Sequence, residues 1–293
     1  MPLVPTSEIV RAADEARVAA VSFNVIHLET AEALVAAAER TGIPLILQIS
    51  ENCVRYHGSL APITRATLAL AAASSARTAV HLDHITQHRF IYEGVEAGVS
   101  SVMVDASALP YEENVAMTAE LTAWCHERGI FVEAELGEVG GKDGVHAPGV
   151  RTDPDEALSY VTATGVDALA VAVGSSHAMR ERTAVLDKEL IAALHEKLPV
   201  PLVLHGSSGV PDDELRRAIA AGMTKINIST HLVSVFTRSL RDTLAANPDL
   251  VDSRKYVGPA REAVTEEAAR LLTTLSAKTA LPEQYAPATP ACG

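Results

Sequence analysis

Short, continuous apolar runs alternate with longer amphipathic stretches from one end of the chain to the other. The short runs are Ala20–Asn24, Pro44–Ile49, Thr78–Asp83, Ser101–Val104, Ile130–Glu135, Ala168–Val173, Pro201–Leu204 and Thr224–Ile228. Their length and unbroken apolar character suit parallel strands covered on both faces. Between them, Leu28–Arg40, Pro62–Ser74, Gln87–Glu96, Tyr111–Arg128, Asp155–Ala163, Asp187–Glu196, Asp212–Ala220 and Thr230–Ala245 carry helical spacing. Acid-rich starts in "TDPDEA" from Thr152 and "VPDDEL" from Val210 suit helix N-termini, where oxygens cap free N–H groups and negative charge meets the dipole. Glycines in "TGIP", "RGIF", "TGVD" and "AGMT" stand at the helix exits.

Repeated strand–helix units build a parallel sheet, and this many of them fit a closed (β/α)₈ (TIM) barrel better than an open doubly wound sheet. With 48% apolar and only 4% aromatic residues, the core must be made of Val, Ile, Leu and Ala. No Pro/Ser-rich linker or 20- to 50-residue repeat divides the 293 residues. Residues 1–280 are therefore expected to form one barrel domain with a C-terminal helix. Residues 281–293, the Pro/Ala-rich "LPEQYAPATPACG", are expected to be a frayed, disordered tail. The longest polar interruption, Leu136 to Asp153, follows the fifth strand. On the catalytic face of a barrel such a Gly-rich loop is a candidate lid.

A formal charge of −13 argues against nucleic acid or an anionic membrane as a main partner. It leaves room for small anionic substrates held by backbone amides and a few local cations. Cys53, Cys125 and Cys292 show no pairing motif and read as reduced thiols of a cytoplasmic protein. Met1 to Ser7 lack a basic start leading into an apolar stretch, so no secretory signal is expected. No apolar run reaches membrane-spanning length.

The chemistry lies at the strand ends. The third strand ends in "VHLDHI", with His81, Asp83 and His84; the sixth leads to His177, and the seventh to His205. In a closed barrel these ends converge on one mouth, and three imidazoles with an open fourth position make a typical catalytic zinc site. Other transition metals also accept neutral imidazole. Strict alternation puts Asp83 and His84 on opposite faces, so both enter the mouth only if the chain leaves the ladder there. His81, one layer deeper, reads as structural or supporting. "HGSSG" from His205 and "INIST" from Ile226 offer amides and hydroxyls where barrel enzymes hold phosphate, after strands seven and eight.

Taken together these motifs resemble the class II, zinc-dependent fructose-bisphosphate and tagatose-bisphosphate aldolases from about Val4 to Ala277. The matching stretches are "FNVIHLET", "ILQISENCVRYHG", "VHLDH", "VEAELGEVGG", "VGSSHA", "LVLHGSSGV", "KINIST" and "SRKYVGPAREAV", in the family's order and spacing. The resemblance implies reversible aldol cleavage of a phosphorylated ketose to dihydroxyacetone phosphate and an aldehyde, in a homodimer or homotetramer. It makes His84, His177 and His205 the Zn²⁺ ligands, with Glu135 a carboxylate beside the metal, and implies a K⁺ or Na⁺ ion near the phosphate. Asp83 would exchange the C4 hydroxyl proton, and Asp143 would be the second base. Asn227 would contact the enediolate. Gly174, Gly206, Ser208, Ser229 and Thr230 would hold the dihydroxyacetone-phosphate half, while Asn24 and Ser50 would face the aldehyde half. Arg254 or Arg261 would reach a neighbour's pocket.

The metal fits this chemistry, because breaking C3–C4 leaves a carbanion whose charge a divalent ion stabilises, while a tuned carboxylate takes the hydroxyl proton. The chain also departs from the family pattern. Asp143 stands where a longer Glu is usual, Ala178 where Gly follows the second zinc histidine, and His231 where an acid follows the Thr of the eighth strand. These departures leave open an aldolase acting on another phosphorylated sugar or sugar acid, and a non-catalytic sugar-phosphate-binding homologue. A Schiff-base route through Lys225, which shares a strand face with Asn227, would leave the three histidines unexplained.

Overall fold

The computed structural model describes residues 2–136, 151–175 and 181–277. The chain starts with α1 (Thr6–Ala16), then β1 (Ala20–Asn24), α2 (Leu28–Thr41), β2 (Leu45–Ser50), a short α3 (Glu51–His57) and α4 (Ala61–Ala73). It continues through β3 (Thr78–Ile85), α5 (His88–Ala97), β4 (Ser101–Val104), α6 (Tyr111–His126), β5 (Phe131–Glu135), α7 (Pro154–Thr164) and β6 (Ala168–Ala170). The last part holds α8 (Lys188–Lys197), β7 (Leu202–Leu204), α9 (Asp212–Ala220), β8 (Met223–Ile228), α10 (Thr230–Ala246) and α11 (Arg254–Leu275). The strands form a closed parallel barrel in chain order, with β8 pairing back onto β1.

Outward-facing strand residues such as Val21, Phe23, Leu45, Leu47, Val80 and Leu82 are fully buried under the helices, in one continuous aliphatic core. Each such Leu or Ile contributes roughly 1.5–3 kcal/mol of burial. Several helix ends follow the sequence expectation. Asp153 caps α7 by accepting from the N–H groups of Asp155 and Glu156. Gly42 and Gly165 end α2 and α7 in the left-handed conformation that a residue without Cβ adopts at no steric cost.

Two elements lie outside the expected scheme. Helix α1 buries Thr6, Ile9, Val10 and Ala13, a 3–4 spacing. Ile9, Val10 and Ala13 pack on Ala20, Ile46 and Ala79 at the starts of β1, β2 and β3, so the helix plugs the N-terminal end of the barrel. Helix α3 follows β2 directly, with the Ser50 side chain accepting from the Cys53 N–H at its start.

The barrel interior is thus graded. Its floor is apolar, and a second inward cluster joins Met103, Ala168, Ala170 and Val203. Above these lie polar side chains that grow denser toward the C-terminal ends of the strands. Residues 281–293, expected to be disordered, lie outside the described residues, as does most of the expected lid. No helix among the described residues is long and apolar enough to cross a membrane.

Candidate active site

The conflict over Asp83 and His84 is resolved by the backbone. Between β3 and β4 the register runs Leu82 to Val102 and Ile85 to Val104, so three steps on β3 match two on β4. The extra residue makes a bulge, and His84 takes φ 50° there. A left-handed residue other than glycine costs roughly 1–3 kcal/mol, and such strain is characteristic of functional sites. Here it lets Asp83 keep the inward direction of the strand while the His84 ring joins it on the same side of the barrel.

His84 Nε2 and His205 Nδ1 face each other at 2.9 Å. The other nitrogen of each ring is held by a carboxylate, His84 Nδ1 by Asp105 Oδ2 and His205 Nε2 by Glu133 Oε1, both at 2.8 Å. Carboxylates behind imidazoles are how proteins fix the tautomer and direction of metal-binding histidines. Asp83, His84 and His205 bring ligand atoms within 4.8 Å of one another, as do His84, Asp105 and Glu135. His205 is further held at its carbonyl, which accepts from Ser175 Oγ at 2.7 Å.

Asp83 is buried among amides. Its Oδ2 accepts from Asn24 Nδ2 at 3.4 Å and Gln48 Nε2 at 3.3 Å. Gln48 Nε2 also donates to Asn24 Oδ1 at 2.7 Å, and Ser22 Oγ donates to Gln48 Oε1, which fixes the direction of the Gln48 amide. Asp83 Oδ1 and Asn227 Oδ1 are buried without a hydrogen-bond partner among the described residues. Buried acceptors of this kind are costly unless a ligand completes them.

One layer down, Lys225 Nζ donates to Glu133 Oε2 at 2.8 Å. Asn227 Nδ2 lies 3.2 Å from His205 Nε2, and His81 Nδ1 bonds Ser101 Oγ at 2.8 Å. Lys225 is thus engaged by a buried carboxylate beneath the histidines, an arrangement that does not favour the imine alternative.

The field of the mouth favours positive charge. Burial opposes ionisation of His84 most, yet Asp83, the Asp105 hydrogen bond and Glu135 together hold its pKa up at about 10. Burial also acts against the Asp105 charge, but the bonds from His84 and Ser107 outweigh it and hold the carboxyl well below its usual range. Burial pushes the Asp83 carboxyl up and the His81 imidazole far down. A proton on His84 sits in the same carboxylate field that would attract a divalent ion, so the donor set and its charge fit a metal.

At the opposite rim Gly206 (φ 68°) turns the chain out of β7 into a short 3₁₀ turn, Ser207–Gly209. Ser208 Oγ accepts from the Ser229 and His231 N–H groups, both at 3.2 Å, at the start of α10. Gly174 has φ 114°, and a Cβ there would meet the Val185 carbonyl at 2.7 Å. The His231 side chain turns outward to Glu267 Oε1 at 2.6 Å.

Asn24, Asp83, His84, Glu135, His205 and Asn227 therefore gather at the C-terminal mouth, with Gly174, Gly206, Ser208, Ser229 and Thr230 along one side. Ser50 pairs with Asp83 across the ladder, while its side chain caps α3. Arg254 is exposed and paired with Asp252. Asp143, His177 and Ala178 lie outside the described residues. Sequence reasoning missed Asp105, Glu133 and Gln48. Asp105 directly follows a strand, as His205 does, and Glu133 stands two residues before Glu135 on one strand face, so both carried a positional signal.

The family model "Fructose-bisphosphate aldolase class-II" matches residues 4–279. A Bacillus subtilis protein named "Probable fructose-bisphosphate aldolase" is 40% identical over 270 residues, 91% of this chain and 95% of its own. The fructose-bisphosphate aldolase of Geobacillus stearothermophilus is 38% identical over 268 residues, covering 90% and 93%. Among solved structures, the YdjI aldolase of Escherichia coli K12 superposes with a TM-score of 0.82 at 30% identity, covering 93% of this chain and 97% of that one.

Proposed function

The chain belongs to the class II fructose-bisphosphate aldolase family, and on that premise we propose that His84, His177 and His205 hold a catalytic zinc ion at the barrel mouth. As a member of that family it is an aldolase, a carbon–carbon lyase acting through metal-dependent chemistry on a phosphorylated sugar. The observation that carries the assignment is the facing pair of imidazole nitrogens, each backed by its own carboxylate. When bound, the ion supplies the positive charge that stabilises the carbanion left by C3–C4 cleavage.

The chain's own residues do the rest. Asp83 removes the C4 hydroxyl proton in cleavage and returns it in condensation. With Oδ2 occupied by Asn24 and Gln48, Oδ1 is the oxygen left to meet the substrate. Asn227 presents Oδ1 as an acceptor to the dihydroxyacetone-phosphate half, and its amide contacts His205. The turn from Gly206 to Ser208 and the start of α10 at Ser229 and Thr230 take the phosphate, where N–H groups and the helix dipole favour an anion. Glu135 stands beside the metal, and Asp143 is assigned as the second base. Asn24 and Ser50 face the aldehyde half. The enzyme is assigned to the cytoplasm and to a homodimer or homotetramer in which Arg254 serves a neighbour's pocket.

The testing experiment is cleavage of fructose 1,6- and tagatose 1,6-bisphosphate, coupled to dihydroxyacetone phosphate detection, with chelator and then with restored zinc. Chelator-sensitive, zinc-restored cleavage of either supports the reading and identifies the preferred C4 epimer. Zinc uptake without cleavage of either would redirect the substrate assignment to other phosphorylated sugars or sugar acids. Cleavage that survives chelation would refute the metal assignment.

A further inference from the structure

The turn that carries Asp83 and His84 is held by a residue with no part in the chemistry above. Glu51, at the start of α3, is 3% exposed despite its charge. Its Oε2 accepts from the backbone N–H groups of Thr86 (2.6 Å) and Gln87 (3.0 Å). Gln87 Nε2 donates to Oε1 at 3.0 Å, and the Thr86 hydroxyl lies 3.0 Å from both oxygens. Arg55, one helical turn on, pairs with the same carboxylate. The β2–β3 ladder ends at Ser50 opposite Asp83. One residue further on each strand stand Glu51 and the left-handed His84.

The physical consequence follows from that juxtaposition. Beyond Asp83 the backbone of β3 has no further partner on β2, so the N–H groups of exposed Thr86 and half-buried Gln87 take their acceptor from outside the ladder. The Glu51 carboxylate supplies charge-assisted bonds to two successive amides, fixing the chain directly after the bulge. We infer that Glu51 is a positioning residue for the metal centre, clamping the backbone after His84 so that the strained bulge keeps His84 Nε2 aimed at His205. This inference rests on the metal reading above. A carboxylate that merely caps α5 would affect stability and leave the ligand geometry alone.

The test is ion binding by the metal-free protein, Zn²⁺ by competition with a chromophoric chelator and Co²⁺ by its visible absorption. In Glu51→Gln, Zn²⁺ affinity is expected to fall about 10- to 100-fold, the range for groups that support metal ligands. The Co²⁺ bands shift, and the Thr86 and Gln87 amides exchange hydrogen faster. Wild-type affinity and bands in a folded Glu51→Gln protein overturn the inference, whatever its melting temperature. If that variant does not fold, Glu51→Asp keeps the charge but, a methylene shorter, draws the carboxylate back from the Thr86 and Gln87 backbone N–H groups. A loss of affinity in the same direction supports the clamp, and no loss overturns it. Wild-type protein that binds neither ion overturns the metal reading, whereas variants equal to a metal-binding wild type overturn only the clamp.

Discussion

Replacing Lys225 by Met tests the inner polar layer on which the histidines rest. Lys225 Nζ and Glu133 Oε2 are 2.8 Å apart, and both side chains are fully buried. Removing the ammonium leaves a carboxylate in the barrel interior whose polar neighbours among the described residues are two imidazoles, His205 at 2.8 Å and His81 at 3.9 Å. Breaking a buried pair from one side costs about 3–5 kcal/mol, because the remaining charge is desolvated and uncompensated. For a domain of this size that corresponds to a melting point roughly 5–9 °C lower. Adding Glu133→Gln removes the orphaned charge while leaving an oxygen for His205, so the double variant should recover more than about 1.5 kcal/mol of the summed single losses. The assay is urea unfolding of metal-free protein for wild type, both single variants and the double variant. A cost for Lys225→Met below about 1 kcal/mol, or strict additivity of the two changes, would refute the reasoning.

Three further outcomes are expected. Asp83→Asn should lower kcat for ketose-bisphosphate cleavage by about 10²- to 10⁴-fold. Its amide oxygen would turn to the Asn24 and Gln48 donors and present an NH₂ where an acceptor is required. Since burial pushes the Asp83 carboxyl up, the neutral isostere should melt no lower than wild type in chelator, and a large drop in melting point would contradict this. Gly174→Ala combines φ 114° with a 2.7 Å approach to the Val185 carbonyl. A loss of about 1–3 kcal/mol is expected on chemical unfolding, together with weaker substrate binding. For Glu267, burial opposes the charge, but Arg270 and His231 hold its pKa down at about 2. A depressed carboxylate stabilises the fold above the unfolded pKa near 4.5 and loses that contribution as pH falls toward 2. Glu267→Gln should flatten the acid limb of a melting-point profile in that window, and an unchanged limb would count against the pairing.

The linear pattern of this chain determined the architecture, because each strand–helix unit carries its own local signals: an apolar run, a capped start and a glycine exit. Strand Ala20–Asn24 and helix Asp212–Ala220 were legible to the residue. The convergence of His84 and His205, 121 positions apart, was legible too, since a closed barrel brings all strand ends to one mouth. Helix α1 is not legible in the sequence because its apolar stripe is short and its packing surface, the barrel floor, exists only after closure. The bulge at His84 was posed as a question by strict alternation but answered only by the register against β4, a property of two strands. The supporting carboxylates Asp105, Glu133 and Glu51 belong to other strands or turns than the groups they hold. Hydrogen-bond direction depends on positions accurate to fractions of an ångström, which sequence spacing does not encode. Residue types and strand ends were thus written in the chain, while the tertiary structure decided which nitrogen of each histidine faces inward and what holds it there.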